Sequence, residues 1–326
     1  MLRLDDRWVW DFWSVTDGPD HHLFYLQAPR ALGDPDLRHH HATIGHAVSR
    51  DLRDWRVLDD VLGPGPPGSW DDLAVWTGSV IRVDGHWAML YTGISHRERG
   101  AVQRIGLATS DDLVSWRKHP ANPVLEADER WYELLGAGAW PEQAWRDPWL
   151  MFDPETGRFH GLITARAAGA RAADGAGVVA VAHSEDLVHW TVGPPITEPG
   201  WYGHLEVPQV SRIGGRWYLT FSVEAERHAA QHPDRIAGSA VRSVRYRVAN
   251  DPLGPFLAET DHLLIGDAAG SRYAGKIVPS EGRHYLLTFR CFDPDAGFRG
   301  EIDDPVSLID RDGQLVIEGP GSRSCP

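Results

Sequence analysis

Apolar residues in this chain come in short alternating runs, and none sustains the 3.6-residue periodicity of an amphipathic helix over any length. Three runs are closely alike: Ile44-Gly-His-Ala-Val48, Ile105-Gly-Leu-Ala-Thr109 and Val179-Ala-Val-Ala-His183. Each is followed by the signature Ser-x-Asp-Leu-x-x-Trp, at Ser49 to Trp55, Ser110 to Trp116 and Ser184 to Trp190. This predicts a strand, a turn closed by Ser and Asp side chains on nearby backbone N–H groups, and a second strand opened by Trp. A degenerate fourth copy lies at Val244-Arg-Tyr-Arg-Val248 before Asn250-Asp-Pro. A second repeat puts a tight turn before a strand, at Gly85-His-Trp, Gly157-Arg-Phe, Gly215-Arg-Trp and Gly282-Arg-His, and Leu23-Phe-Tyr-Leu-Gln27 fits the same frame.

Aligning Leu23, Trp87, Phe159, Trp217 and His284 gives spacings of 64, 72, 58 and 67 residues, so five units fill the chain. A unit of about 65 residues holds four strands and their loops, and a ring of such sheets is a propeller. The expected fold is therefore all-β, a single five-bladed β-propeller of four-stranded blades over 1–326. Val306-Ser-Leu-Ile309 and Leu315-Val-Ile317 are expected either to be outer strands of the last blade or to join the first and seal the ring. Pro64-Gly-Pro-Pro-Gly68 reads as a crossover between blades, and the Ala- and Gly-rich stretch from Ala165 to Gly177 as a loop between two strands of the third.

Composition narrows the function. With 32 Lys and Arg against 46 Asp and Glu the formal charge is −14, which repels nucleic acid and anionic membranes. No segment approaches the roughly 18 apolar residues of a membrane span or forms a signal sequence, so a cytoplasmic protein is expected. Cys291 and Cys325 are expected to be bystanders, with no disulfide framework or thiolate metal site. The run His39-His40-His41 is expected in a loop, because adjacent strand residues cannot all face one way, and no metal or other cofactor is expected.

Three acids share one position in the repeat. Asp11 precedes Leu23 by 12 residues, Asp147 precedes Phe159 by 12 and Glu206 precedes Trp217 by 11. The same frames in the second and fifth units hold Val75-Trp76 and Arg272-Tyr273. Acids gathered at one channel mouth repel each other and lose hydration, so stability does not favour them. Aromatics flank them, in Trp8-Val-Trp10-Asp11-Phe-Trp13 and Trp145-Arg146-Asp147-Pro-Trp149, while His204 precedes Glu206 by two. Sugar sites use this combination, rings stacking on Trp and hydroxyls bonding to carboxylates. Asp11, Asp147 and Glu206 are thus the expected catalytic residues. Trp10, Trp13, Trp76, Trp145, Arg146 and His204 are the expected sugar contacts, and a small oligosaccharide is the expected partner. Trp140 and Trp201 are further candidate platforms, Asp71-Asp72 is a candidate pocket border, and Glu224 and Glu226 are expected in a solvated loop. Lys276 and His46 lie near proposed channel segments, with a structural role equally open.

At these residues the chain resembles the furanosidase propellers of glycoside hydrolase families 32 and 68, which form clan J. Trp10-Asp11-Phe12-Trp13 is similar to the Trp-Asp-x-Trp nucleophile motif of the levansucrases, and Arg146-Asp147-Pro148 to the Arg-Asp-Pro motif whose Asp stabilises the transition state. Glu206-Val-Pro208 is similar to the Glu-Arg-Pro or Glu-Cys-Pro acid/base motif, with Val207 in the variable place. Trp76-Thr-Gly-Ser79 and Gly45-His-Ala-Val-Ser49 resemble further invertase segments, and no C-terminal β-sandwich of the invertase type is expected. The resemblance implies a retaining glycosidase for a small fructofuranoside such as sucrose or a short fructan, with fructosyl transfer also open. Two alternatives remain: an inverting arabinofuranosidase or xylosidase like those of family 43, and a propeller that binds sugar without cleaving it.

Overall fold

The computed structural model describes residues 1–138 and 140–318; Cys325 lies outside them. Five antiparallel sheets follow one another along the chain, the first four meanders whose strands pair in sequence order. Blade I consists of β1 (Arg7–Asp17), β2 (Asp20–Pro29), β3 (Thr43–Ser49) and β4 (Arg56–Val57). Blade II follows with β5 (Ala74–Val83), β6 (His86–Ile94), β7 (Arg104–Ser110) and β8 (Trp116–Lys118), reached through the predicted Pro64–Gly68 crossover. Blade III has β9 (Trp145–Asp153), β10 (Arg158–Arg166), β11 (Gly177–Ser184) and β12 (Trp190–Val192), and blade IV has β13 (Glu206–Ile213), β14 (Arg216–Val223), β15 (Arg242–Ala249) and β16 (His262–Asp267). The first strands of the blades, β1, β5, β9, β13 and β17 (Arg272–Ser280), pack against one another in a closed ring, β17 returning to β1.

Blade V departs from the four-strand expectation. Its β18 (Arg283–Asp293) is long enough to take two partners: β19 (Gly297–Ile302) along Phe289–Asp293 and β20 (Val306–Arg311) along His284–Leu286, with β21 (Gln314–Glu318) outermost. Thus β20 and β21 are outer strands of the last blade. At the ring closure, Leu2 instead exchanges two backbone hydrogen bonds of 2.9 Å with Ile302. No β-sandwich lies among the described residues, and no helix among them is long and apolar enough to cross a membrane.

The Ser-x-Asp-Leu-x-x-Trp repeat is a turn with fixed parts. Asp51, Asp112 and Asp186 each accept two backbone N–H groups ahead of them, at 2.7 to 2.9 Å. Leu52, Leu113 and Leu187 each adopt a left-handed backbone, φ 62°, 65° and 66°, and are buried. That conformation is strained for a leucine, and burying its side chain between sheets offsets the strain. In the second and third copies the indole N–H of Trp116 and Trp190 donates to the carbonyl of that leucine. Trp thus closes the turn it follows, which accounts for its place in the signature.

Candidate active site

All five first strands lose register against their neighbour at the same level: around Asp11 in β1, Thr77 in β5, Asp147-Pro148 in β9, Val207-Pro208 in β13 and Ala274-Gly275 in β17. A bulge frees a residue from the ladder and re-aims its side chain, and it is where a sheet tolerates proline. Asp147, Val207 and Ala274 have φ of 57°, 46° and 48°, a costly conformation for a β-branched residue such as Val207. Hydrogen bonds hold the turn there: Val207 N donates to Asp147 Oδ2 at 3.1 Å, and Lys276 Nζ donates to the carbonyls of Val207 and Pro208 at 2.8 and 3.3 Å.

These bulges ring a pocket of about 840 Å³ whose lining includes Asp11, Asp147 and Glu206. Arg146 connects two of the acids, its Nη2 2.5 Å from Glu206 Oε1 and its Nε 3.6 Å from Asp147 Oδ2. Gln103, Glu142 and the Nδ1 of His204 fix the guanidinium, at 3.1, 3.1 and 3.2 Å. Asp147 also accepts from the Thr164 hydroxyl at 3.0 Å. Glu206 accepts from the phenol of Tyr273, and the Thr77 hydroxyl lies 3.5 Å from Asp11.

Charge follows from this packing. Loss of hydration, then repulsion from Asp147 and Glu206, pushes the Asp11 carboxyl up to about 7, while Arg38 and Lys276 pull the other way. Burial raises Asp147 as well, opposed by Arg146. Burial draws Arg146 down, yet Glu142, Glu206 and Asp147 outweigh it and hold the guanidinium charged. His204 is kept neutral by burial and by three arginines, and Tyr273 is kept protonated by burial and the Glu206 charge. Of the three acids, Asp11 is therefore the one pushed up to about 7, and Asp147 is raised with it by burial.

Trp10, Trp76, Arg146 and His204 line this pocket as expected. Trp76 donates its indole N–H to the His39 carbonyl at 2.7 Å. Trp13 and Trp145 do not line it, and both expectations are corrected. Trp13 is wholly buried and stacks on Phe24 at 6.1 Å, turned by the bulge into the core between blades. Trp145 precedes the pocket-facing Arg146, so alternation turns it the other way, against Tyr132 at 5.0 Å. Trp140 stands behind His204, clasped by Arg166 and Arg227, and Trp201 abuts His232. His46 is buried under Phe24. Asp71 is buried on Lys118 and Tyr91 away from the site.

Sequence reasoning missed part of the wall. His39 belongs to a 3-10 turn over Pro35–His41 and lines the pocket with Arg38. Glu224 and Glu226 also line it, correcting the solvated-loop expectation; Glu224 is pushed up to about 7 by burial against the pull of Arg242, which lies 2.5 Å away. Tyr273 and Thr77 had a signal, being at or beside the repeat frame that holds the acids in other blades. Glu224 had none, since its loop is not repeated.

The sequence model described as Glycosyl hydrolases family 32 N-terminal domain matches residues 15–263. The chain belongs to glycosyl hydrolase family 32. Among curated proteins, a β-fructofuranosidase insoluble isoenzyme of Arabidopsis thaliana is 30% identical over 193 residues, 58% of this chain and 32% of that protein. Beta-fructofuranosidase 1 of Zea mays is 33% identical over 180 residues, 54% of this chain and 24% of its own. The match to this family 32 chain thus spans a quarter to a third of these relatives. Among solved structures, inulosucrase from Halalkalicoccus jeotgali bound to kestose superposes with a TM-score of 0.79, at 23% identity, over 97% of this chain and 88% of that one, a likeness of fold. Asp147 and Glu206 lie inside the family match and Asp11 lies before it, so Asp11 is placed by the repeat and the pocket alone.

Proposed function

We propose that this family 32 protein is a retaining glycoside hydrolase for small fructofuranosides. One observation carries the reading: at the bulge level of three different blades Asp11, Asp147 and Glu206 line one pocket, with Arg146 joining Asp147 to Glu206. Its family membership and the β-fructofuranosidases it resembles support the substrate class.

In this reading Asp11 attacks the anomeric carbon and the bond to the leaving oxygen breaks, that oxygen taking a proton from Glu206. Asp147 bonds the ring hydroxyls most strongly as oxocarbenium charge grows. Glu206 then takes a proton from water, or from a second sugar's hydroxyl, as the glycosyl ester on Asp11 is opened. The chemistry needs one proton among these carboxylates. Burial and repulsion from Asp147 and Glu206 raise Asp11 to about 7, opposed by Arg38 and Lys276, and Asp11 is the nucleophile in its ionised form. Trp76, half-buried at the pocket edge, offers an apolar face to the sugar, whereas Trp10 is 1% exposed and packs beneath the pocket floor.

The test is release of reducing sugar from sucrose, kestose and nitrophenyl arabinofuranoside, with Asp11→Asn as the blank. The proposal expects fructose from the first two, falling by at least about 1,000-fold in the variant. Activity confined to the arabinoside, or none on any fructoside, overturns it.

A further inference from the structure

Blade V gains a strand over the other four, and that strand brings a ring to the pocket. In the hairpin of β18 and β19, Phe292 pairs with Phe298, their rings edge to face at 6.2 Å. Asp293 Oδ1 closes the turn by accepting the amides of Asp295 and Ala296, both at 3.0 Å. At the other end the amides of Cys291 and Phe292 donate to the carbonyls of Ser271 and Gly270 at 2.9 and 3.3 Å. The hairpin is thus fixed, yet the Phe292 ring stays 43% exposed. Among the described residues it is the one exposed large hydrophobic side chain that lines the pocket of the acids.

Arg242 fixes the place of that ring relative to Glu206. Its Nε lies 2.5 Å from Glu224 Oε2 and its Nη1 2.7 Å from Cys291 Sγ. So held, the guanidinium carbon is 5.1 Å from the centroid of Phe292 and 5.6 Å from that of Tyr273, within cation–π range of both. The Tyr273 phenol in turn donates to Glu206. One wall therefore runs from Glu206 through Tyr273 and Arg242 to an open aromatic ring. On the other side of Glu206 the neighbours are Arg146 and His204, both polar and buried, so the apolar face lies toward Phe292.

The leaving oxygen takes its proton from Glu206, so the leaving part of the substrate lies along this wall. The pocket, about 840 Å³, is near the top of the range for small-molecule sites, and leaves room beyond a disaccharide. We infer that Phe292 is a specificity-determining residue, stacking the third sugar counted from the one transferred, and that fructosides of three or more units are preferred to sucrose. This rests on Glu206 being the acid/base, the role proposed for it.

The test compares kcat/KM on sucrose, the trisaccharide kestose and the tetrasaccharide nystose for the parent, Phe292→Ala and Phe292→Trp, with circular dichroism and melting to check each fold. The parent should favour kestose over sucrose by about tenfold; Phe292→Ala should lose that advantage, mainly through KM, and Phe292→Trp should keep it. No preference for the longer sugars in the parent, or equal losses on sucrose and kestose in Phe292→Ala, overturns the assignment. Calorimetric binding of kestose and sucrose to Asp11→Asn, with and without Phe292→Ala, needs no turnover. A preference for kestose there that depends on Phe292 supports the assignment even where no fructoside is cleaved, a result that sinks the hydrolase proposal alone; equal binding of the two sugars overturns the assignment.

Discussion

Asp11 is half-buried among other acids, and that fixes how it behaves in the free protein. Its carboxyl is raised from the usual 3.8 to about 7, so folding is favoured while it is protonated. That contribution is complete below about pH 4 and is lost as pH rises through 7, because the unfolded chain releases the proton first. Asp11→Asn should therefore be more stable than the parent at pH 8, by a few kcal/mol, and the gap should shrink toward pH 4. A gap that does not change with pH would contradict the placement of Asp11. The tryptophans separate by position: Trp13→Ala should cost about 3 to 5 kcal/mol of stability, while Trp76→Ala, which removes a half-buried ring bonded to His39, should cost less and also raise KM for the sugar. The acids could be read from sequence because the repeat numbers them. Trp13 could not, because adjacency along a strand does not say which side of a bulge a ring falls on.

The Asp-bearing turns and the bulges are the elements that make the pocket reproducible from blade to blade. Asp112 accepts the amides of Val114 and Ser115 and is drawn down to about 2 by them, although it is almost fully exposed. Asp112→Ala should lower stability by about 1 kcal/mol, as loss of a helix cap does, visible as a small fall in melting temperature at pH 7. The strand–turn–strand repeat was legible since its polar residues are confined to fixed places. The bulges were only half legible: Pro148 and Pro208 break the ladder, but Thr77 and Ala274 carry no such mark. The extra strand β19 escaped for a related reason, since the unit containing it is the last and has no later copy to compare with.

At the scale of the molecule, five sheets of similar length leave one central mouth, and radial placement brings together groups 136 and 195 residues from Asp11 in the chain. The fold was legible from spacing alone; the wall formed by Arg38, His39 and Glu224 was not, because it comes from connections that differ between blades. Under the proposed function, that irregular wall is where sugar specificity would be set, the acids defining the bond that breaks. The central claim is that Asp11 forms a covalent glycosyl ester opened from the face the leaving group left. It is tested most directly by letting the enzyme turn over sucrose in dilute methanol and assigning the methyl fructoside by NMR. The account predicts methyl β-fructofuranoside, the configuration of the substrate retained; the α anomer would contradict it.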